Sequence, residues 1–346
     1  MTTTPPDGSD LDATRRDMDD RVVSRFLWVA VFGPALIGLV ALVAQLLVMG
    51  QVPDPAAIHW GAGGQPDGYA NPVWYLLLTV ILAAGVPVAM GLFAFRGLRR
   101  GDRGPMYRFI GAFAFGFAVY SALVMTASLA IQAGLSSAQD AGSVLPWLLG
   151  ALAVGLGAGA VAWFIQPAQR DFSSTRRSVT AGSAPPGLDA VWRRTIMLPK
   201  PVMVVLGLAV VLVASAAITT WLTGERLVAV ILTVLTAVIA VLAVVTAIMH
   251  VRVDAAGLAV TAALGWPRFG VSIDDVESVA VSRINPIGDF GGWGLRGRPG
   301  KFGIIMRTGD AIVVTRRNGH EFVVTVDDAD SGAALLAGFA ASATRG

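Results

Sequence analysis

Six long apolar stretches alternate with short polar loops along the first 250 residues. Their limits read as Arg25–Gly50, Val73–Phe95, Tyr107–Gly134, Val144–Ile165, Pro201–Thr223 and Leu227–Met249. Each supplies the roughly 20 residues that a helix needs to cross a hydrocarbon layer of about 30 Å. Trp28, Trp74, Tyr75, Tyr107, Trp147, Trp163 and Trp221 stand near the ends, as interfacial aromatics do. After His250 the period changes. Short β-like runs follow at Val251–Val253, Leu258–Thr261, Ser278–Val281, Gly303–Arg307, Ala311–Thr315 and Glu321–Val326. Asn318–Gly319 between the last two is a hairpin signal, with positive φ expected at both residues. Asp328 or Asp330 is placed to cap a closing helix whose apolar stripe is Leu335, Leu336 and Phe339. The fold class expected is an all-α bundle of six transmembrane helices, followed by a small cytoplasmic β-rich domain with a C-terminal helix. Three regions follow: a disordered tail over 1–24, a six-helix domain over 25–249 and the β-rich domain over 250–346. Gln166–Lys200 reads as a long polar linker.

Charge adds an orientation. Of 26 Lys and Arg, only Arg226 falls in a segment that the alternation puts outside the cell. Basic residues beside spans stay on the cytoplasmic side, so both termini are expected there and the Gln51–Pro72 loop outside. The chain is 55% hydrophobic and only 14% charged, too apolar for an ordinary soluble fold. A net charge of +3 gives no reason to expect a nucleic-acid partner. Cysteine is absent, which excludes disulfides and thiolate chemistry. Arg far outnumbers Lys and Ala, Gly and Val abound, a composition that suggests a bacterial source. The first apolar run is too long for a signal peptide.

Away from their ends the spans hold no Asp, Glu, Lys, Arg or His. Ionisable groups within a membrane usually mark ion paths, proton relays or substrate sites, so their absence weighs against proton-coupled transport and intramembrane proteolysis. Gln45 and Gln132 are the largest polar groups and read as interfacial. Ala151, Gly155 and Gly159 repeat at four-residue spacing, the small-residue device for close helix approach, which is read here as internal packing.

The first outer loop, QVPDPAAIHWGAGGQPDGYANP, is the most distinctive segment. Proline and glycine constrain its backbone, and Pro66–Asp67–Gly68 reads as a turn. His59, Trp60, Asp67 and Tyr69 are its candidate recognition residues. The segment resembles the bacterial membrane family known as domain of unknown function 1648, on Pro53, Pro55, His59, Trp60, Gly64, Pro66, Asp67, Gly68 and Tyr69. Where a basic residue commonly follows the Tyr, Ala70, Asn71 and Pro72 stand instead. Some members look like SdpI-type immunity and signalling proteins, which guard a bacterium against a secreted toxic peptide. The C-terminal region resembles bacterial PH-like domains through Asp254–Gly257, Leu258–Val260 and the Val271–Val279 run.

Gly292–Gly297 satisfies G-x-G-x-x-G, but Pro299 and Gly300 follow where a dinucleotide site needs a helix. Trp293, Arg296, Arg298 and Lys301 in this loop are candidate contacts for anionic lipid headgroups. The three acids Asp327, Asp328 and Asp330 suit a helix N-terminus without a metal. The histidines at 59, 250 and 320 fall on different sides or in different domains, so no catalytic triad forms. A non-enzymatic role in sensing, immunity or regulation at the bacterial plasma membrane is expected, without cofactor or metal. Its partners would be the bilayer, an extracellular peptide or membrane protein, and anionic lipid. The competing expectation is a transporter or channel subunit with an uncharged path between helices.

Overall fold

A computed structural model describes residues 20–61, 63–168, 176–179 and 189–343, arranged in two compact units, Met1–Asp171 and Phe172–Gly346. The expected disordered tail lies outside the described residues as far as residue 19, and helix has begun by Asp20.

The first unit is built on α1 (Asp20–Met49), α2 (Val73–Arg99), α3 (Pro105–Ala130) and α4 (Leu145–Ile165), all long and apolar enough to cross a bilayer. Two of them are not uniform. Trp28–Phe32 in α1 and Val80–Gly85 in α2 wind as π-helix just before Pro34 and Pro87. Proline lacks an N–H and its ring crowds the carbonyl four residues back, so the backbone relaxes into a wider turn there. The widened segments lie at a close helix crossing. A Cβ on Gly91 would sit 2.3 Å from the Ala30 carbonyl oxygen, and one on Gly38 would sit 2.7 Å from the Ala84 Cβ. The small-residue repeat of α4 works the same way against α3. Gly155 and Gly159 abut Gly116 and Ala112: a Cβ on Gly155 would sit 2.9 Å from the Gly116 oxygen and one on Gly159 3.2 Å from the Ala112 oxygen, while Gly157 faces open space.

Where α4 stops, arginines take up its last carbonyls. Arg25 Nη1 donates to Ile165 O at 2.8 Å and Arg108 Nε to Trp163 O at 2.6 Å, with the Arg108 guanidinium 4.4 Å from the Trp163 ring centroid. Cations suit a helix C-terminus, so these residues serve packing as well as charge bias.

The second unit holds the other two span-length helices, α5 (Lys200–Thr223) and α6 (Arg226–Ala247), joined through Gly224 at φ +87°. The hairpin interrupts a sheet. Strand β4 (Trp192–Met197) enters α5, and β5 (Ile248–Asp254) leaves α6 and pairs back on β4, with Met197 opposite Ile248. With β6 (Gly257–Ala262) and β7 (Arg268–Ser272) they form a four-stranded antiparallel sheet. The sequence reading put 166–200 in a linker. Instead that stretch supplies β4 and also β3 (Arg176–Ser178), which lies beside β8 (Val276–Ile284). The β-rich unit is therefore larger than 250–346. Trp192 and Ile196, 8% and 4% exposed, belong to its core.

The six-stranded sheet runs β3-β8-β11-β12-β10-β9, completed by β9 (Gly294–Arg298), β10 (Lys301–Ile305), β11 (Gly309–Arg316) and β12 (Glu321–Thr325). Every pairing is antiparallel except β10 with β12. A short helix α7 (Pro286–Phe290), capped by the Asn285 side chain, precedes β9. Helix α8 (Ala329–Ala343) closes the unit, burying Ala329, Ala333, Leu336 and Phe339, with Leu335 half-buried beside them. The Asn-Gly hairpin is present, but only Gly319 has positive φ (+79°). Arg316 N–H donates to His320 O and Gly319 N–H to Arg316 O, both at 2.8 Å, the signature of a three-residue loop with one left-handed glycine rather than a two-residue turn. The three acids around the start of α8 each meet a different arginine: Asp327 with Arg307, Asp328 with Arg194, Asp330 with Arg177. Hydrogen bonds from Ser331, then from Trp192, and the nearby Arg194 hold the Asp328 carboxyl below the ordinary aspartate range.

Candidate functional site

The Gln51–Pro72 loop folds into a hairpin between α1 and α2. Strands β1 (Ala56–Trp60) and β2 (Pro66–Ala70) pair antiparallel, with His59 opposite Gly68 and Trp60 opposite Pro66, and the register shifts on either side of His59. The sequence reading assigned Pro66–Asp67–Gly68 to a turn; it lies in β2, and the chain reverses earlier, between Gly61 and Gln65. Pro66 is tolerated because it begins a strand, where a missing N–H costs no ladder bond. Gly68 is required by the irregular register, since a Cβ there would come within 2.8 Å of the His59 Cβ.

One edge of the hairpin is anchored. Ala56 and Ala57 are fully buried. The Gln132 amide, just beyond α3, grips Ala57 from both sides: Ala57 N–H donates to Oε1 at 2.7 Å, and Nε2 donates to Ala57 O at 3.0 Å. The Tyr75 hydroxyl of α2 donates to the same Ala57 oxygen at 2.6 Å. Gln132 is 0% exposed, so the interfacial reading of it is corrected: it is a buried bracket whose donors and acceptor are used on backbone and on Tyr75. Gln45 is equally buried and is bonded to Thr79 and Thr126, tying α1 to α2 and α3. A buried amide is stable only when its hydrogen bonds are met, and both are.

The other face of the hairpin is open. His59 Nδ1 lies 2.5 Å from Asp67 Oδ1, with the two side chains 71% and 52% exposed. Asp54 takes no part in this pair and accepts instead from Asn71 Nδ2 at 3.3 Å. Trp60 has a structural bond, Nε1 to Gly142 O at 3.1 Å, which ties the hairpin to the loop before α4. Tyr69 donates to Pro66 O at 2.9 Å and borders a 270 Å³ cleft shared with Asp54, Pro55, Ser136, Ser137 and Gln139. The four sequence-nominated residues thus come together on one hairpin, in distinct roles. Sequence reasoning missed the bracing by Tyr75 and Gln132, because nothing along the chain ties position 132 to position 57.

The basic loop of the second unit is less uniform than expected. Residues 294–298 form β9, paired with β10, so a strand follows the glycines. Trp293 is half-buried and packs against the apolar core, not out into solvent. Its carbonyl accepts from Arg296 Nε at 2.8 Å. Arg298 donates to Asp289 O, and Lys301 Nζ is 3.1 Å from Glu321 Oε2. Burial alone would raise the Glu321 carboxyl, but bonds from Arg176 and Lys301 outweigh it and bring it below the ordinary range. Arg298 and Lys301 also line a 480 Å³ cleft with Arg268, Arg316 and His320 over a floor of Phe269 and Phe302. That collection of basic residues comes from three separate turns and was invisible in sequence order.

No curated protein and no solved structure matches the chain. A family model described as "Domain of unknown function (DUF1648)" matches residues 36–83. Those residues run from the second half of α1 through the hairpin into α2, and exclude Gln132 and Gly142, which brace the hairpin from elsewhere in the chain. The chain thus has six helices long and apolar enough for a multi-pass membrane protein, and the braced hairpin lies between the first two, within the segment that is similar to this family.

Proposed function

We propose that this protein has a non-enzymatic sensing, immunity or regulatory role at the bacterial plasma membrane. Its termini lie in the cytoplasm, and its outer hairpin recognises an extracellular peptide or an exposed part of another membrane protein. The observation that carries this reading is the asymmetry of the hairpin: Ala56–Ala57 are clamped by buried polar groups, while His59, Asp67 and Tyr69 stay exposed. A surface held from behind loses little further freedom on binding, so less of the contact energy goes into ordering it. The cleft beside Tyr69 offers a pocket for one partner side chain. On the cytoplasmic side, the strand-rich unit with its closing helix supports a PH-like reading and an anchoring or reporting role. Arg298 and Lys301 remain candidates for anionic headgroups, whereas the packing of Trp293 argues against it as an inserting aromatic.

The test pairs a deletion-complementation phenotype with melting of the detergent-extracted protein. His59→Ala should abolish complementation at normal abundance and unchanged melting temperature, because the exposed His59–Asp67 pair contributes at most about 1 kcal/mol. Trp60→Ala should impair both, since it removes the bond to Gly142. Full complementation by His59→Ala together with Tyr69→Ala would overturn the recognition reading.

A further inference from the structure

The β6–β7 hairpin of the second unit ends in two large apolar side chains without protein cover. Leu264 is 68% and Trp266 74% exposed, whereas Met249, Val251, Leu258 and Val260 of the same sheet are buried. The register of the sheet says where this tip stands. Helix α6 ends at Ala247, and β5 starts at the next residue. Leu198 N–H donates to Ala247 O at 3.0 Å, which draws the start of α5 to the same level. Strand β6 runs back along β5 toward the helices: Ala262 pairs with Met249, and Ala263 N–H donates to Ile248 O at 3.0 Å. Each further residue is one level nearer the hairpin of helices, by about 3.3 Å. By this register Leu264 comes level with Ala247, and the Gly265–Pro267 turn closes at the end of the sheet from which the helices leave. If α5 and α6 cross a bilayer, this tip lies in its interfacial layer, which is where Trp concentrates.

Charge agrees with that placement. Exposed Lys200 begins α5, and exposed Arg268 follows the tip, its Nε donating to Gly265 O at 2.9 Å. Residues 262–272 contain no Asp or Glu. Long basic side chains at this level keep their stems in the interface and their charge among headgroups.

We propose that the β6–β7 tip is a membrane-insertion finger: Leu264 and Trp266 enter the lipid interface beside α6, with Arg268 and Lys200 at headgroup level. The occupant is the leaflet that α5 and α6 already enter. Insertion gives the β-rich unit an attachment besides its chain connections to the helices, and so fixes its tilt on the bilayer. The proposal rests on α5 and α6 being membrane spans and is independent of what the outer hairpin recognises.

Because the chain has no cysteine, single-cysteine variants can be labelled cleanly with an environment-sensitive fluorophore. Leu264→Cys, Trp266→Cys and, as control, Ala256→Cys at the opposite end of the sheet would be placed in the full-length protein. The proteins would be reconstituted in phosphatidylcholine–phosphatidylglycerol vesicles. Labels at 264 and 266 should emit blue-shifted, and nitroxide near the lipid headgroups should quench them several-fold more than the label at 256. Aqueous iodide should show the reverse order. Emission at 264 and 266 matching that at 256 would overturn the proposal. A blue shift insensitive to lipid-borne nitroxide would overturn it too, by assigning the tip to a protein neighbour.

Discussion

At the scale of single residues, Gln132 has the largest consequences. It is buried, and its amide is divided between the N–H and the oxygen of Ala57, 75 positions away in sequence. Gln132→Leu keeps the approximate volume but leaves two backbone groups of Ala57 short of a partner, at a cost of about 1–3 kcal/mol for each buried group that stays unpaired. Tyr75 still serves the oxygen, so the N–H suffers more. The expected outcome is a melting temperature lowered by several degrees in detergent, with the β1–β2 hairpin cut by added protease much faster than in the parent. A Gln132→Leu protein that melts and resists cleavage like the parent would show that the bracket is dispensable. The same logic separates Gln45, whose loss should loosen α1 from α2 and α3 without exposing the hairpin.

At the scale of elements, the instructive feature is a helical hairpin inserted between two neighbouring strands. Met197 and Ile248 are paired across β4 and β5, so the ends that α5 and α6 leave behind are already adjacent. Replacing residues 198–247 by a tight Asn-Gly turn should close the sheet directly. A soluble fragment from residue 176 to 343 with that splice is expected to melt cooperatively. The fragment 250–346 should be much weaker, because it lacks Trp192 and Ile196. Burial of each such side chain stabilises by roughly 1.5–3 kcal/mol, and loss of β4 also leaves β5 as a bare edge. Circular dichroism melts of both fragments decide the matter: equal stability would mean that β4 is an accessory strand.

At the scale of the whole molecule, the proposed orientation rests on arginine placement, and labelling with an impermeant thiol reagent tests it in intact cells. Gly63→Cys stands on an exposed turn with open space around it, and Ala256→Cys on an exposed turn of the β-rich unit. Gly319 is a poorer probe site, since its φ of +79° strains any L side chain. Labelling at 63 and protection at 256 until the cells are opened is the expected pattern. Labelling at 256 in intact cells would reverse the topology.

The six helices were legible in the chain because a bilayer demands one thing of each segment separately, about 20 apolar residues in a row, and that requirement needs no partner. The same is true of the central strands and the α8 stripe, whose periodicities are local. The β1–β2 hairpin was legible as a constrained loop, but not its true turn, because the register depends on Gly68 fitting against His59. Strands β3 and β4 were not legible. They are short polar-looking runs, and their partners lie about 50 to 100 residues further on, across two membrane-length helices in the case of β4. Gln132 and Gln45 looked interfacial because a lone amide near a helix end carries no mark of whether water or Ala57 will satisfy it. Sequence by itself determined which segments could enter a membrane and which could form sheet. The tertiary structure decided which strands were neighbours, which polar groups were buried and which apolar tip was left bare, since each of those depends on a contact between residues far apart in the chain.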